Sequence, residues 1–445
     1  HMAMVVKNNM SAVNTLNILN KNQSALAKSL QKVSSGMKIN DAGDDASGYA
    51  ISERMRVQIR SLDQDNQNTQ NGNSMMKTAE GAVASTVEIL KTLKEKAINA
   101  ANDTNTDEDR RTIQKEINQM VDQIDDNALA TYNGKYLVDG SRNSIGQATC
   151  TILTNSSLST SATWTDALTD LKSRTNESLN IQSTDSVSVS YVREGRTYTT
   201  TFSVGSSNSL ADIIKSAAFN GAESLAGTAF VASGSTQNSA FIGLDKAKNS
   251  VYTADNKAAL SISAAGTGTT YQISSFTIAI KDNTGALRKT ANNALDAFTE
   301  RVRAENKSED NALTLQTGTR ANQAIKVSMS DMRSLALGMK GRDGSVISVQ
   351  TQDKANAAIN AIETALQKAL DEQANIGAVQ TRLAYTSSNL TTSSENVQNS
   401  ESVIRDADMA KEMTNYTKNN VLLQAAQSML AQANQNSSAV LSLLQ

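Results

Sequence analysis

Toward the end of the chain, Ile376, Leu383, Leu390, Val397 and Ile404 recur at intervals of seven. A seven-residue apolar period keeps one stripe against a partner helix, because about 3.5 residues per turn is the spacing of supercoiled packing. The second row of that stripe, Val379, Thr386, Ser393 and Ser400, is mostly small or hydroxylated. It predicts packing among several helices rather than a strong two-stranded zipper. The other end answers with Leu19, Leu26, Leu30, Val33 and Met37, whose spacing puts them on one helical face. A third run, Val421, Leu422, Ala425, Met429 and Ala433, continues to Val440, Leu441 and Leu444. Both ends therefore carry apolar stripes that need partners, and neither reads as a solvated tail.

Between the ends the period changes. Ile51, Met55, Ile59 and Leu62 open a helical face that fades through the Gln/Asn-rich stretch 64–73 and returns at Met76, Ala79, Val83, Leu90 and Ala97. The pattern predicts one long helix running across Gly72. After a polar break at 102–107, Ile113, Ile117, Met120 and Ile124 complete a helical hairpin. Asp107, Glu108 and Asp109 fall at the positive end of a helix beginning near Thr106, where carboxylates are favoured, so they read as helix-terminus charges rather than metal ligands.

From Gly140 to about Asn311 the composition shifts to Ser, Thr, Gly and Val, and the period drops to two. Val187, Val189 and Tyr191, a turn at Glu194-Gly195, then Tyr198, Thr200, Phe202 and Val204 predict a β-hairpin. Tyr271, Ile273, Phe276, Ile278 and Ile280 predict further strands before a turn at 282–285, while 209–218 and 291–304 are short helix candidates. Leu313 and Leu315, a turn through 318–322, and Ile325, Val327 and Met329 make one more hairpin. Helical periodicity then resumes at Ile359, Ile362, Leu366 and Leu370. The expected fold is α+β: long coiled-coil-like terminal helices form a helical stalk with a β-hairpin, and a β-rich outer domain is inserted in it.

Composition narrows the function. The net charge of -2 with a pI near 5.7 gives no pull toward nucleic acid, and no apolar run approaches the roughly 18 residues of a membrane-spanning helix. Aromatics are only 4% of the chain, so cores must be built from aliphatic residues and Met, which suits slender bundles. Proline is absent, as fits a chain that tolerates few helix breaks, or one whose composition has drifted. A single cysteine, Cys150, excludes an internal disulfide and multi-Cys metal sites. The only histidine is His1, and His1-Met2 reads as the remnant of a cleaved expression tag. Histidine-based triads and most zinc sites are thereby removed, and no catalytic, cofactor or metal site is expected. The N-terminus also lacks the charged start and apolar block of a secretory signal.

Two terminal motifs carry a resemblance. The run Val33-Ser34-Ser35-Gly36-Met37-Lys38-Ile39-Asn40, continuing through Ala42, Asp44, Asp45, Ala46, Gly48 and Ala50-Ile51, resembles the N-terminal signature of bacterial flagellins. Gly377-Ala378-Val379-Gln380-Thr381-Arg382-Leu383, then Leu430-Ala431-Gln432-Ala433-Asn434-Gln435 and Val440-Leu441-Ser442-Leu443-Leu444, resemble the matching C-terminus. The likeness covers about the first 140 and last 130 residues, with the middle unmatched. It implies a subunit that polymerises into the flagellar filament for motility, extracellular and exported by the flagellar type III apparatus without a cleaved signal. Residues 1–46 and 406–445 would form the inner layer, 47–140 and 312–405 the next layer with its hairpin, and 141–311 the outward domain.

The assembly seam expected on this basis is Leu19, Leu26, Leu30, Val33, Ile376, Leu383, Leu390, Val397, Ile404, Val421 and Met429. Implied partners are further copies of the chain, the flagellar export chaperone held by the segment from Asp406 onward, and the filament cap and junction proteins. Two innate immune receptor classes join them. In flagellins that activate Toll-like receptor 5, the helix resembling 88–102 supplies an arginine and a leucine to the main contact, and the next helix a glutamate. Aligned through Glu95, Ala97 and Asn102, those positions are here Thr92, Lys96 and Glu116, so only the glutamate is kept. Threonine lacks the planar five-donor fork of arginine, and the expectation is weakened activation, with Lys91 and Lys94 as partial substitutes. Leu441, Leu443 and Leu444 resemble the ending sensed by cytosolic NAIP receptors. The hook-filament junction protein, which shares the terminal helices, and an adhesive or glycan-binding role for the insert are the alternatives. An enzymatic insert lacks the histidines that a metalloprotease version needs.

Overall fold

The computed structural model describes residues 9–217, 230–232 and 240–442. The chain divides into two compact units, one of residues 1–70, 316–323 and 385–445, the other of residues 71–315 and 324–384. Two long helices, α2 (Ala46–Ala100) and α7 (Gln352–Arg405), contribute to both.

In the first unit, α1 (Met10–Ser35) pairs with α8 (Met409–Ser442). The Asn9 side chain accepts from the Ala12 N–H at the start of α1, and Gly36 ends the helix in the left-handed conformation, φ 72°, that favours glycine. The signature residues then close a tight turn. The Asp45 carboxylate accepts the N–H groups of Ser47 and Gly48, both at 3.1 Å, which satisfies the first orphan donors of α2. Ile39 tucks beneath it, 2% exposed. A Cβ on Gly48 would meet the Ile39 Cδ1 at 2.7 Å, so the signature glycine is there for close approach. Arg405, at the end of α7, pairs with Glu53 at 2.6 Å and lies over the Tyr49 ring. Its carbonyl accepts the Lys38 N–H.

The second unit has two cores. The first joins the later part of α2 to α3 (Asp107–Ala128) and the earlier part of α7, through Met76, Val83, Leu90, Ile117, Ile124, Ile362, Ile376 and Leu383. As the acidic run predicts, α3 begins after Thr106, and Thr106 and Asp109 form a reciprocal capping box. Arg110 turns back and donates to the carbonyls of Ala100 and Asn102 at the end of α2. Two short hairpins flank this core: β1 (Thr131–Tyr132) with β2 (Lys135–Tyr136), and β12 (Leu313–Gln316) with β13 (Ala324–Val327). A Cβ on Gly72 would lie 2.6 Å from the Leu315 Cδ1, which explains a glycine in mid-helix, where it ordinarily costs about 1 kcal/mol. A short helix, α6 (Ser334–Leu337), follows β13.

The second core belongs to the insert. Three strands order as β10-β4-β5 and four as β11-β3-β9-β6, every pair antiparallel. Their ranges are β3 (Ile152–Asn155), β4 (Ser186–Arg193), β5 (Arg196–Ser203), β6 (Phe230–Ala232), β9 (Leu260–Ala264), β10 (Ile273–Lys281) and β11 (Phe298–Val302). A separate hairpin pairs β7 (Phe241–Leu244) with β8 (Ser250–Tyr252). Leu153, Trp164, Leu168, Val187, Val189, Tyr191, Ile262, Phe276 and Ile278 fill the interior, with α4 (Leu210–Ala217) and α5 (Lys289–Leu295) contributing Ile213 and Leu295. The hairpin expected around Glu194-Gly195 is β4–β5. The helix expected over 291–304 is a correction: α5 ends at Leu295, and the chain extends as β11 because β3 offers it a pairing partner, Phe298 opposite Asn155 and Val302 opposite Ile152.

Candidate assembly surface

Among the described residues no helix is long and apolar enough to cross a membrane, and no group of three or more His, Cys, Asp or Glu could hold a metal ion. The terminal helices carry many of the exposed large apolar residues.

The α1–α8 contact has an unusual composition. Its buried residues are small: Ser29, Ala426 and Ala433. Asparagines span it: Asn9 donates to the Ala433 carbonyl at 3.2 Å and the Ser437 hydroxyl at 2.7 Å, Asn22 to the Leu422 carbonyl at 3.2 Å, and Asn419 to the Ser29 hydroxyl at 3.0 Å. Several large apolar side chains lie outside, while others such as Leu19 and Leu26 are half-covered. Val13, Leu16 and Ile18 on α1 and Met413, Val421, Leu422 and Met429 on α8 are exposed, Val421 by 59% and Met429 by 63%. Large exposed apolar residues are characteristic of interaction surfaces where they form a contiguous patch.

The seam residues read from sequence therefore separate into two sets. Ile376, Leu383 and Leu390 are buried inside the chain, which is itself their partner. Val397, Ile404, Leu19, Leu26 and Val33 are half-covered, while Leu30 is 50% exposed. Val421 and Met429 face outward, whereas Ala433, placed on the same stripe by sequence, faces α1. Leu441 belongs to α8, and Leu443 and Leu444 lie outside the described residues. The outward Val13, Leu16, Ile18 and Met413 did not enter the sequence-derived seam, although their apolar character on predicted helices was the available signal.

The receptor-contact candidates sit on α2 and α3. Lys96 pairs with Glu116 at 3.0 Å, Lys91 with Glu88 at 2.6 Å, and Lys94 with Glu363. The Thr92 hydroxyl donates to the Glu88 carbonyl one turn back at 3.0 Å. Structure thus brings Lys96 and Glu116 together and turns the Thr92 donor inward to its own helix.

Residues 6–143 match the bacterial flagellin N-terminal helical region, and residues 359–444 the bacterial flagellin C-terminal helical region. The chain is 34% identical over 438 residues to a flagellin of Clostridium tyrobutyricum, covering 97% of this chain and 99% of that one. With a flagellin of Bacillus subtilis (strain 168) it shares 30% identity over 461 residues, 99% and 100% covered. Among solved structures, a flagellar hook associated protein-3 from Legionella pneumophila aligns at TM-score 0.32 and 15% identity, covering 78% of this chain and 97% of that one. By two terminal regions matched in order and relatives aligned along nearly its whole length, the chain belongs to the bacterial flagellin family.

Proposed function

We propose that this flagellin, a structural subunit of the flagellar filament and not an enzyme, polymerises by burying between copies the apolar residues that its paired terminal helices leave in water. The supporting observation is the outward set Val421, Leu422 and Met429 on α8 with Leu16 and Ile18 on α1. Burying an apolar side chain contributes about 1.5 to 3 kcal/mol. Several per subunit would exceed the rigid-body cost of association, about 4 to 15 kcal/mol. On this reading 1–46 and 406–445 line the filament interior, 47–140 and 312–405 surround them, and 141–311 faces outward. Soluble subunits seeded with filament fragments should elongate them under the electron microscope, and a preparation that stays monodisperse at every subunit concentration refutes the assignment.

The same reading extends to partners. Export proceeds without a cleaved signal, with α8 held by the export chaperone as an amphipathic helix in a groove, and growth takes place between junction and cap proteins. The leucine-rich ending, Leu441 to Leu444, is the candidate for NAIP receptors. Toll-like receptor 5 activation is weakened: the Thr92 hydroxyl is already committed to the Glu88 carbonyl, and reaching Glu116 requires displacing Lys96. A reporter-cell titration equal to that of a strongly stimulatory flagellin refutes this part alone.

A further inference from the structure

The insert is fastened to the helical part of the second unit at three places. The first is its neck. The outgoing stretch 143–149 and the returning stretch 305–311 are joined by backbone hydrogen bonds: Gly146 and Ser308 exchange a pair, both at 3.1 Å, Thr149 donates to the Glu305 carbonyl at 3.0 Å, and Asn311 to the Asn143 carbonyl at 3.1 Å. The chain therefore enters and leaves the insert through paired backbone rather than through two loose linkers. The second place is α7. Glu300 on β11 and Lys368 on α7 have side chains 7% and 6% exposed and lie 3.6 Å apart, and Arg303, just beyond β11, pairs with Asp371. Pulling the insert away would separate charges that have little water to replace their partners.

The third place is the loop 338–347 that follows α6. It is folded on itself, with Gly341 donating to the Ser345 carbonyl at 2.7 Å and Ile347 to the Met339 carbonyl at 3.0 Å. The β4–β5 turn sits directly against it. A Cβ on Gly341 would fall 2.1 Å from the Glu194 carbonyl oxygen, and one on Gly195 would fall 2.1 Å from the Ser345 carbonyl oxygen, so each glycine allows a backbone approach that no other residue permits. The Ser345 hydroxyl donates to the same Glu194 carbonyl at 2.8 Å, Arg196 pairs with Asp343, and the buried Ser274 hydroxyl of β10 donates to the Gly338 carbonyl at 2.9 Å. Val192, near the end of β4, has no exposed surface and belongs to the helical core, which also holds Leu337, Met339 and Ile347, rather than to the core of its own sheet.

Domains joined by a small interface move relative to one another by default. These contacts oppose that motion, and the compact unit that contains the insert extends through 71–140 and 324–384 as well. We infer that the loop 338–347 is a conformational lock that seats the β4–β5 turn, so that the insert and the helices of the second unit open and close as one cooperative body. The insert is then not a detachable module. A defect in its core is felt in α3 and α7, and the lock residues control how strongly.

Hydrogen exchange of the full-length monomer across a urea series, read by mass spectrometry, tests this without any polymer and so separately from the assembly reading. Peptides from β4, β10 and residues 352–384 of α7 should share one opening transition. Leu168→Ala, a cavity in the insert core at a residue with no exposed surface, should speed exchange at least about tenfold in the insert and in the buried stretches of α3 and α7 alike. Gly341→Ala drives a methyl group into the Glu194 carbonyl and should speed exchange in β4 and β5 at least about tenfold. Ser345→Ala deletes only a hydroxyl, so it should fold, and should speed the same peptides about twofold to tenfold. Protection of α3 and α7 unchanged by Leu168→Ala overturns the inference, as does β4–β5 protection unaltered in both loop variants. Should Leu168→Ala fail to fold, the parent decides: insert amides that open at lower urea than those of α7 overturn it too.

Discussion

Exchanging Val421 and Met429 together for glutamine separates assembly from folding. Both side chains lie on α8 and remain 59% and 63% exposed. Glutamine is as good a helix former as methionine and better than valine, so the double variant should melt with the parent, within about 0.5 kcal/mol. Polymerisation is another matter. Fully burying a Val or Met contributes about 1.5 to 3 kcal/mol, and roughly three-fifths of each is still available, giving about 1 to 2 kcal/mol per residue. The pair then represents about 2 to 4 kcal/mol for each subunit added. At 1.4 kcal/mol per factor of ten, the critical concentration should rise by about 30-fold to several hundred-fold. The assay is seeded growth to steady state, sedimentation of the filaments, and measurement of the protein left in the supernatant. A rise below about threefold in a variant that melts normally would show that these side chains stay in water in the polymer, and the reasoning from exposure to assembly would fail.

Other outcomes follow from the same contacts. Leu383→Ala hollows the first core at a residue with no exposed surface, and denaturant unfolding should report a loss of about 2 to 5 kcal/mol. Thr106→Ala breaks the capping box of α3 and should cost about 1 kcal/mol by the same measurement, with Thr106→Ser retaining most of it. Asp343 is held at about 2, below its ordinary 3.8, by the hydroxyl and N–H of Ser345 and by Arg196. The native state thus binds that proton less tightly than the unfolded chain. Its contribution to stability is complete above pH about 4 and disappears as pH falls toward 2, so Asp343→Asn should flatten the melting temperature across that window. Thr92→Arg with Lys96→Leu frees Glu116 and restores a planar donor, and reporter cells should respond at least about tenfold more strongly.

Much of this architecture is legible in residue spacing because its longest elements carry their own signals. The α2 face continues through Gly72, α3 declares its start with Thr106 and Asp109, and the β4–β5 turn announces itself at Glu194-Gly195, where both residues adopt positive φ. Residues 291–304 were not legible. Alanines with Leu295, Glu300 and Arg301 have helix propensity, yet Phe298, Glu300 and Val302 also alternate, and only β3, more than a hundred residues earlier, decides between the two. Asn155 completes that decision by donating to the Ala294 carbonyl at 2.7 Å, where α5 ends.

The seam between the terminal helices shows why large apolar residues mislead when one chain is read alone. An intrachain pair seeking greatest stability would turn Val421, Leu422 and Met429 toward Leu16 and Ile18. Here the fully buried positions are instead Ser29, Ala426 and Ala433, which bury little apolar area. Asparagine amides reaching backbone carbonyls fix that choice. Rotating α8 to bury its large face would strip Asn9, Asn22 and Asn419 of their partners across the pair, and each amide desolvated without a bond costs about 1 to 3 kcal/mol. The ladder therefore acts against the self-satisfied arrangement while adding only about 0.5 to 1.5 kcal/mol per bond to the one adopted. A subunit built this way keeps its strongest apolar surface uncommitted. On the proposed reading, the free energy for growth comes from neighbours covering that surface.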